Sequence, residues 1–191
     1  MKIIHFATKN QGKFISVSND LAKYKIKVIQ VPLNLPEPRS DDLQLIAKEK
    51  ARLAYEKIKK PCIALDAGFY IHSLKGFPKA FVNLVLETIG IEGILKLVGG
   101  MPKECEFRHC LAYYDGNSEP VCFESRVEGT LAENIRGEKK DYHLSKLSQI
   151  FIPRGAKKTL AEMSAAEYQA WREKRRANSH ATRFAEWIAG R

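Results

Sequence analysis

Several things are missing from this chain, and each absence removes a class of function. Its four cysteines, Cys62, Cys105, Cys110 and Cys122, show no C-x-x-C spacing and no pairing with histidines, so neither a zinc-binding module nor a disulfide framework is indicated. They fall mainly in apolar, strand-like runs and read as reduced, buried thiols. No stretch approaches the ~18 consecutive apolar residues of a membrane span. The first residues lack the basic start, long apolar stretch and small-residue cleavage site of a secretion leader, so a soluble, cytoplasmic protein without a membrane partner is expected. Neither G-x-G-x-x-G nor G-x-x-x-x-G-K-[ST] occurs, and no internal repeat, low-complexity tract or linker divides the chain.

What is present is an ordinary globular composition with a basic bias. A chain of 191 residues that is 45% hydrophobic buries one sizeable core, whole or divided into two lobes about a cleft, and the expectation is a single domain over residues 1–191. The formal charge of +10, from 32 Lys plus Arg against 22 Asp plus Glu, favours anionic partners as a class: nucleotides, nucleic acid or acidic lipid.

Hydrophobic spacing places the elements. Lys2 to Ala7 reads as a short strand, and after the turn "TKNQGK" Phe14, Val17, Leu21 and Tyr24 recur at helical intervals. Lys27 to Val31 reads as a second strand, followed by "PLNLPEPRSDD", an extended loop ending in a helix cap. The next helix carries Leu43, Ile46, Ala47, Leu53, Ala54 and Ile58 on one face. Lys50 falls on that same inward stripe, where a lysine either meets a carboxylate or phosphate or snorkels to solvent. "PCIALDAGFYI" reads as a buried strand ending at Asp66, with Gly68 easing the chain past it; such an aspartate serves a ligand site or caps a turn. Residues 80–98 look helical, Asp115-Gly116-Asn117 marks a hairpin between two long strands, and "NIRGEKKDYHLSKLSQ" looks like an exposed loop or short helix. Helices around Ala165 to Arg176 and Ser179 to Ala189 close the chain, the last with Phe184, Trp187 and Ile188 as its buried stripe.

Lys13, Glu37, Lys50 and Asp66, at or beside regular elements, all fall within the first 66 residues. Two convergent carboxylates make a site for a hard cation, because magnesium takes oxygen ligands and commonly uses one or two protein carboxylates plus substrate phosphates. Two lysines nearby neutralise the remaining charge of a polyphosphate. In "TKNQGK", Gly12 permits close backbone approach, the helix-start amides offer donors, and Lys13 adds a point charge.

The set resembles the house-cleaning nucleoside-triphosphate pyrophosphatases, the family that includes inosine/xanthosine triphosphate pyrophosphatase. The family's [ST]-x-N-x-x-K turn is matched by Thr8, Asn10 and Lys13, its acidic loop by "LPE" with Glu37, its helix lysine by Lys50, and its acidic strand by "LDAG" with Asp66. "LKGFP", "GIEGILKLV", "AYYDG", "FIPRG", "KTLAEM" and the terminal "SH" follow in the family order, so the likeness spans nearly the whole chain. The resemblance implies an elongated α/β structure, with a long, curved mixed β-sheet flanked by helices and two lobes around a nucleotide cleft. It also implies a homodimer and a magnesium-dependent hydrolysis of a nucleoside triphosphate to the monophosphate and pyrophosphate. Asp66 would be metal ligand and general base, Glu37 the second ligand, and Lys13 and Lys50 phosphate clamps in catalysis. The expected substrate-binding set is Thr8, Asn10, Gln11, Gly12, Lys13, Ala67, Gly68, Arg175 and His180.

The chain departs from the family pattern in a definite way. Leu65 stands where a second acid precedes the key aspartate, and Lys79 replaces the last glycine of "GxPG". "LSKLSQ" replaces the "GFG[WYF]DP" segment, with Leu147 and Ser148 where an aromatic and an aspartate are expected, and Ala181 replaces the arginine after His180. The lost groups mainly read the 6-oxo purine, whereas most phosphate and metal residues survive, so base selectivity is expected to be relaxed or redirected. Lys139, Lys140, Tyr142 and His143 either supply new contacts or form a solvated face. Two alternatives stand behind the leading reading: a nucleotide-binding sensor that has lost catalysis, and, last, a nucleic-acid-binding protein using the basic stretch from Arg136 to Arg176.

Overall fold

The computed structural model describes residues 2–191. Seven strands form one mixed sheet flanked by six helices, in chain order β1 (Lys2–Ala7), α1 (Gln11–Ala22), β2 (Ile26–Val31), α2 (Leu43–Ile58), β3 (Cys62–Ile71), β4 (Pro78–Lys79), α3 (Val82–Thr88), α4 (Gly90–Leu97), β5 (Glu104–Tyr114), β6 (Val121–Leu131), β7 (Phe151–Pro153), α5 (Ala165–Arg176) and α6 (His180–Ala189). Hydrogen-bonded neighbours run β2-β1-β3-β5-β6-β7, with β4 paired to β3. β1 is parallel to β2 and to β3, while β4 against β3 and β7 against β6 are antiparallel. The expected α/β class and mixed sheet are therefore present.

The chain packs as two compact units. The first comprises residues 1–67, 109–125 and 175–191. Its core joins Ile4 and Phe6 of β1, Val17 and Leu21 of α1, Ile63 and Leu65 of β3, Leu111 and Tyr113 of β5, and Ala181, Phe184, Ala185 and Ile188 of α6. Tyr113, Phe123, Phe184 and Trp187 meet ring to ring at offset or edge-on angles, the arrangement favoured by aromatic quadrupoles. A smaller cluster ties the loop after β2 to the body, with Leu33 and Leu35 packing against Ala7, Ala54 and Cys62. The Cys62 thiol is fully buried against the Ala51 carbonyl, and burial pushes it up to about 12.

The second unit comprises residues 68–108 and 126–174. Phe69 and Ile71, Val85, Ile91 and Ile94, Cys105, Val127 and Leu131, and the Leu147, Ile150 and Phe151 segment form its core. Outside it, Arg108 donates from Nε to Glu106 at 2.8 Å and stacks over the Tyr70 ring at 4.1 Å. This pairing lets a carboxylate be buried without an uncompensated charge.

Three expectations change at this level. β3 does not stop at Asp66 but continues to Ile71, and Gly68 makes that continuation possible because a methyl there would collide with the Lys79 carbonyl of paired β4. The helix expected over 80–98 is two helices, since Gly90 takes a left-handed φ of 66° and ends one run. The "NIRGEKKDYHLSKLSQ" segment is less exposed than its polarity suggests. His143, Leu147 and Ser148 are buried, and only Lys146–Gln149 makes a helical turn.

The hairpin tip tests the packing. Gly116 has a φ of 87°, and a side chain there would overlap the Tyr55 ring, itself held edge-on against Tyr114 at 5.2 Å. Gly116→Ala is expected to cost ~2 kcal/mol or more, from left-handed strain plus overpacking. Thermal melts should show this as a Tm lower by several degrees.

Candidate active site

The turn after β1 is built by its own side chains. Thr8 Oγ1 accepts from the Asn10 amide at 3.1 Å, and Asn10 Oδ1 caps α1 by accepting from the Lys13 amide at 2.8 Å. These two residues, expected to hold substrate, thus spend the named acceptors on shaping the turn. Gln11 is exposed and Gly12 half-exposed in the first turn of α1. The cap sends the Lys13 side chain toward β3, where its ammonium donates to the Leu65 carbonyl at 3.3 Å. Leu65, the residue in place of the family's second acid, therefore faces the first core with its side chain and Lys13 with its backbone oxygen.

Lys50 is the hub. Its ammonium donates to Glu37 Oε1 at 2.7 Å and to Asp66 Oδ1 at 3.4 Å. Its side chain is only 14% exposed, so the inward stripe of α2 does deliver a lysine to carboxylates, as one of the two readings required. Ala47, Ala51 and Ala54, all fully buried, let α2 approach the sheet closely beside it. Asp42 caps this helix by accepting from the Gln44 and Leu45 amides. Glu37 arrives from the proline-rich loop, which is anchored through Asn34 by Lys9 and Lys57 as well as by Leu33 and Leu35. Sequence separation thus does not keep Glu37, Lys50 and Asp66 apart; they meet in the first unit.

The electrostatics follow from depth. Asp66 is buried, and that burial raises its pKa above the ordinary carboxylate range against the lowering effect of Lys13 and Lys50. Burial likewise lowers Lys13, opposed by the charge of Asp66. Each group is thereby pushed toward its neutral form and held charged by the other. Glu37, by contrast, is 60% exposed at its side chain.

A second group adjoins the first. His180, at the start of α6, stacks on His109 of β5 with centroids 5.2 Å apart and planes inclined by 21°, and Ser125 Oγ lies 2.9 Å from His180 Nδ1. The pKa of His109 is held well below the usual range by burial first, then by the charges of His180, Arg175 and Lys13. Arg175 and His180 are thus linked through His109 to the Lys13 side of the site. His109 and Ser125 were not legible beforehand: a histidine and a serine inside strands carry no spacing that marks them. Ala67 is half-buried on β3, and Gly68 opens the second unit, where it serves the β3–β4 pairing.

The departures from the family pattern have structural consequences too. Ala181 is fully buried in the first core, with no place there for an arginine. Leu147 is fully buried in the second core, and the Ser148 hydroxyl is buried with no hydrogen-bond partner among the described residues.

Residues 4–184 match the Ham1 family. The dITP/XTP pyrophosphatase of Methanopyrus kandleri is 38% identical over 196 aligned positions, covering 100% of both chains. That of Saccharolobus solfataricus is 34% identical, covering 95% of this chain and 91% of its own. Among solved structures, the Ham1 protein of Staphylococcus aureus superposes with a TM-score of 0.78 over 99% of both chains at 22% identity. At that identity the likeness speaks for the fold. With a family match across nearly its whole length and relatives alike from end to end, the chain belongs to the Ham1 family.

Proposed function

We propose that the protein hydrolyses noncanonical nucleoside triphosphates to the monophosphate and pyrophosphate, removing altered nucleotides from the pool. The observation that carries this is the Lys50 ammonium shared between Glu37 and Asp66 beside Lys13. It joins two carboxylates, able to hold a divalent cation, to two ammonium groups able to hold phosphates.

Among the described residues no group of three or more His, Cys, Asp or Glu side chains is placed to hold a metal. The pair Glu37 and Asp66 fits magnesium all the same, because that ion typically takes one or two carboxylates and fills its shell with water and substrate phosphate. When bound, magnesium supplies Lewis acidity and charge neutralisation at the phosphates. Asp66 accepts a proton from the attacking water as its oxygen bonds to the α-phosphorus. The bond from that phosphorus to the oxygen bridging to the β-phosphate breaks, and pyrophosphate leaves. The raised pKa of Asp66 makes it a stronger base than an ordinary carboxylate. Lys13 and Lys50 steady the charge on the phosphates, and Arg175 and His180 extend the substrate contacts. Thr8, Asn10, Gln11, Gly12, Ala67 and Gly68 complete the proposed binding set, and the working form is proposed to be a cytoplasmic homodimer.

Incubating the protein with inosine, xanthosine and the four standard triphosphates, with magnesium or with chelator, tests this. Pyrophosphate, not orthophosphate, should appear, and chelation should stop its release. Discrimination between 6-oxo and 6-amino purines should fall well short of the ~10⁴-fold that a full set of base hydrogen bonds can give, because Leu147, Ser148 and Ala181 supply none of the family's groups. Tight nucleotide binding with no turnover of any triphosphate would instead favour a sensor.

A further inference from the structure

The imidazole of His180 is held from two sides. The buried Ser125, on β6, has its hydroxyl oxygen 2.9 Å from His180 Nδ1. The His109 ring covers one face at 5.2 Å. Asp66, Lys13, His109, His180 and Ser125 thus form a continuous line within the first unit, through charge between the first three, ring stacking between the histidines and a hydrogen bond at the end. The Ser179 hydroxyl caps α6 by accepting from the Thr182 amide, which fixes where His180 leaves the helix. Arg183 is turned away to the Glu124 carbonyl at 2.8 Å.

We propose that Ser125 is a positioning residue for the nucleotide site: its hydroxyl donates to His180 Nδ1 and thereby fixes the tautomer with the ring proton on Nε2, making that N–H a donor for the substrate. The inference rests on reading His180 as a substrate-binding residue. Two arguments select this tautomer. The His109 ring stacks on His180 at 5.2 Å, where protons on both imidazoles would repel, and a neutral imidazole has one donor and one acceptor nitrogen. A polyanionic ligand is then served by a donor and repelled by a lone pair, which leaves Nδ1 as the acceptor for the serine hydroxyl. Alanine at position 125 removes that constraint without a change of backbone or core volume large enough to disturb the strand.

Long-range proton–nitrogen correlation spectra of the ligand-free, nitrogen-15-labelled protein read the tautomer directly, with His180→Gln assigning the resonances. Wild type should show His180 protonated at Nε2. Ser125→Ala should give a mixture of tautomers and raise KM for inosine triphosphate about tenfold, with kcat within about threefold. Ser125→Thr, which keeps the hydroxyl, should restore both. A wild-type ring protonated at Nδ1, an unchanged tautomer in Ser125→Ala, or an unchanged KM despite a changed tautomer each overturns the proposal. If the wild type hydrolyses no triphosphate, the functional reading fails, while the ligand-free spectra still decide whether Ser125 sets the ring.

Discussion

Asp66→Asn is expected to lower kcat for triphosphate hydrolysis by about 10³-fold or more while leaving the fold intact, as a pyrophosphate-release assay and a far-ultraviolet spectrum will show. The amide keeps the shape of the carboxyl but can neither accept the proton of the attacking water nor offer a charged ligand to a cation. The same variant has an opposite effect on stability. Burial raises the folded-state pKa of Asp66, so between the unfolded value, near ~3.9, and that raised value the folded protein binds more protons than the unfolded chain. The contribution of Asp66 to metal-free stability is therefore fully present below the unfolded value and is lost as pH rises through the folded one. Asparagine has no such loss. The Tm of Asp66→Asn relative to wild type should thus rise from about pH 4 toward neutrality, in chelator, although removing the counter-charge of Lys13 trims the gain. On the proposed reading magnesium binds the folded wild type, and adding it should narrow the gap. A variant that retains activity would take Asp66 out of the chemistry. One whose relative Tm is flat across this range would remove the burial argument.

Lys50→Met should lower kcat/KM by about 10²-fold to 10³-fold, measured by the same assay. The methionine stem fills the place of the lysine stem beside Ala47, Ala51 and Ala54, so packing is largely kept. What disappears is the ammonium that touches both Glu37 and Asp66. The two carboxylates then repel across the site, the pKa of Asp66 is driven further up, and a phosphate loses its clamp. Lys50→Arg should not restore full activity, since the larger guanidinium, with its donors fixed in one plane, replaces a compact ammonium in a largely buried position between Glu37 and Asp66. Full rescue by arginine would mean that only net charge matters at this position.

The parts of this site that could be read from the sequence are those whose chemistry conflicts with their location. A lysine on the apolar stripe of α2 requires a partner, and an aspartate inside an apolar strand requires a reason; both conflicts pointed at the site. Glu37 was marked by its loop rather than by any conflict. His109 and Ser125 went unseen because a half-buried histidine and a small hydroxyl residue are unremarkable in a strand, and their meaning arises only when β5, β6 and α6 come together. The continuation of β3 past Asp66 was obscured by Gly68, normally a breaker, which is tolerated because paired β4 needs the space. The burial of Leu147 and Ser148 was hidden inside a polar, lysine-rich stretch. There the second core draws in side chains that local composition would have left in water.

The strand order also bears on how the protein behaves in a crowded solution. The outermost strands of the path are β2 and β7, and an open rim of backbone amides invites another copy to add on. β2 carries Lys27, with Lys25 directly before it, so a second chain docking there would bring ammonium groups together. β7 spans three residues and ends in Pro153, too short and too poor in donors to template a newcomer. Fibrillar self-association is discouraged at both margins by these residues themselves.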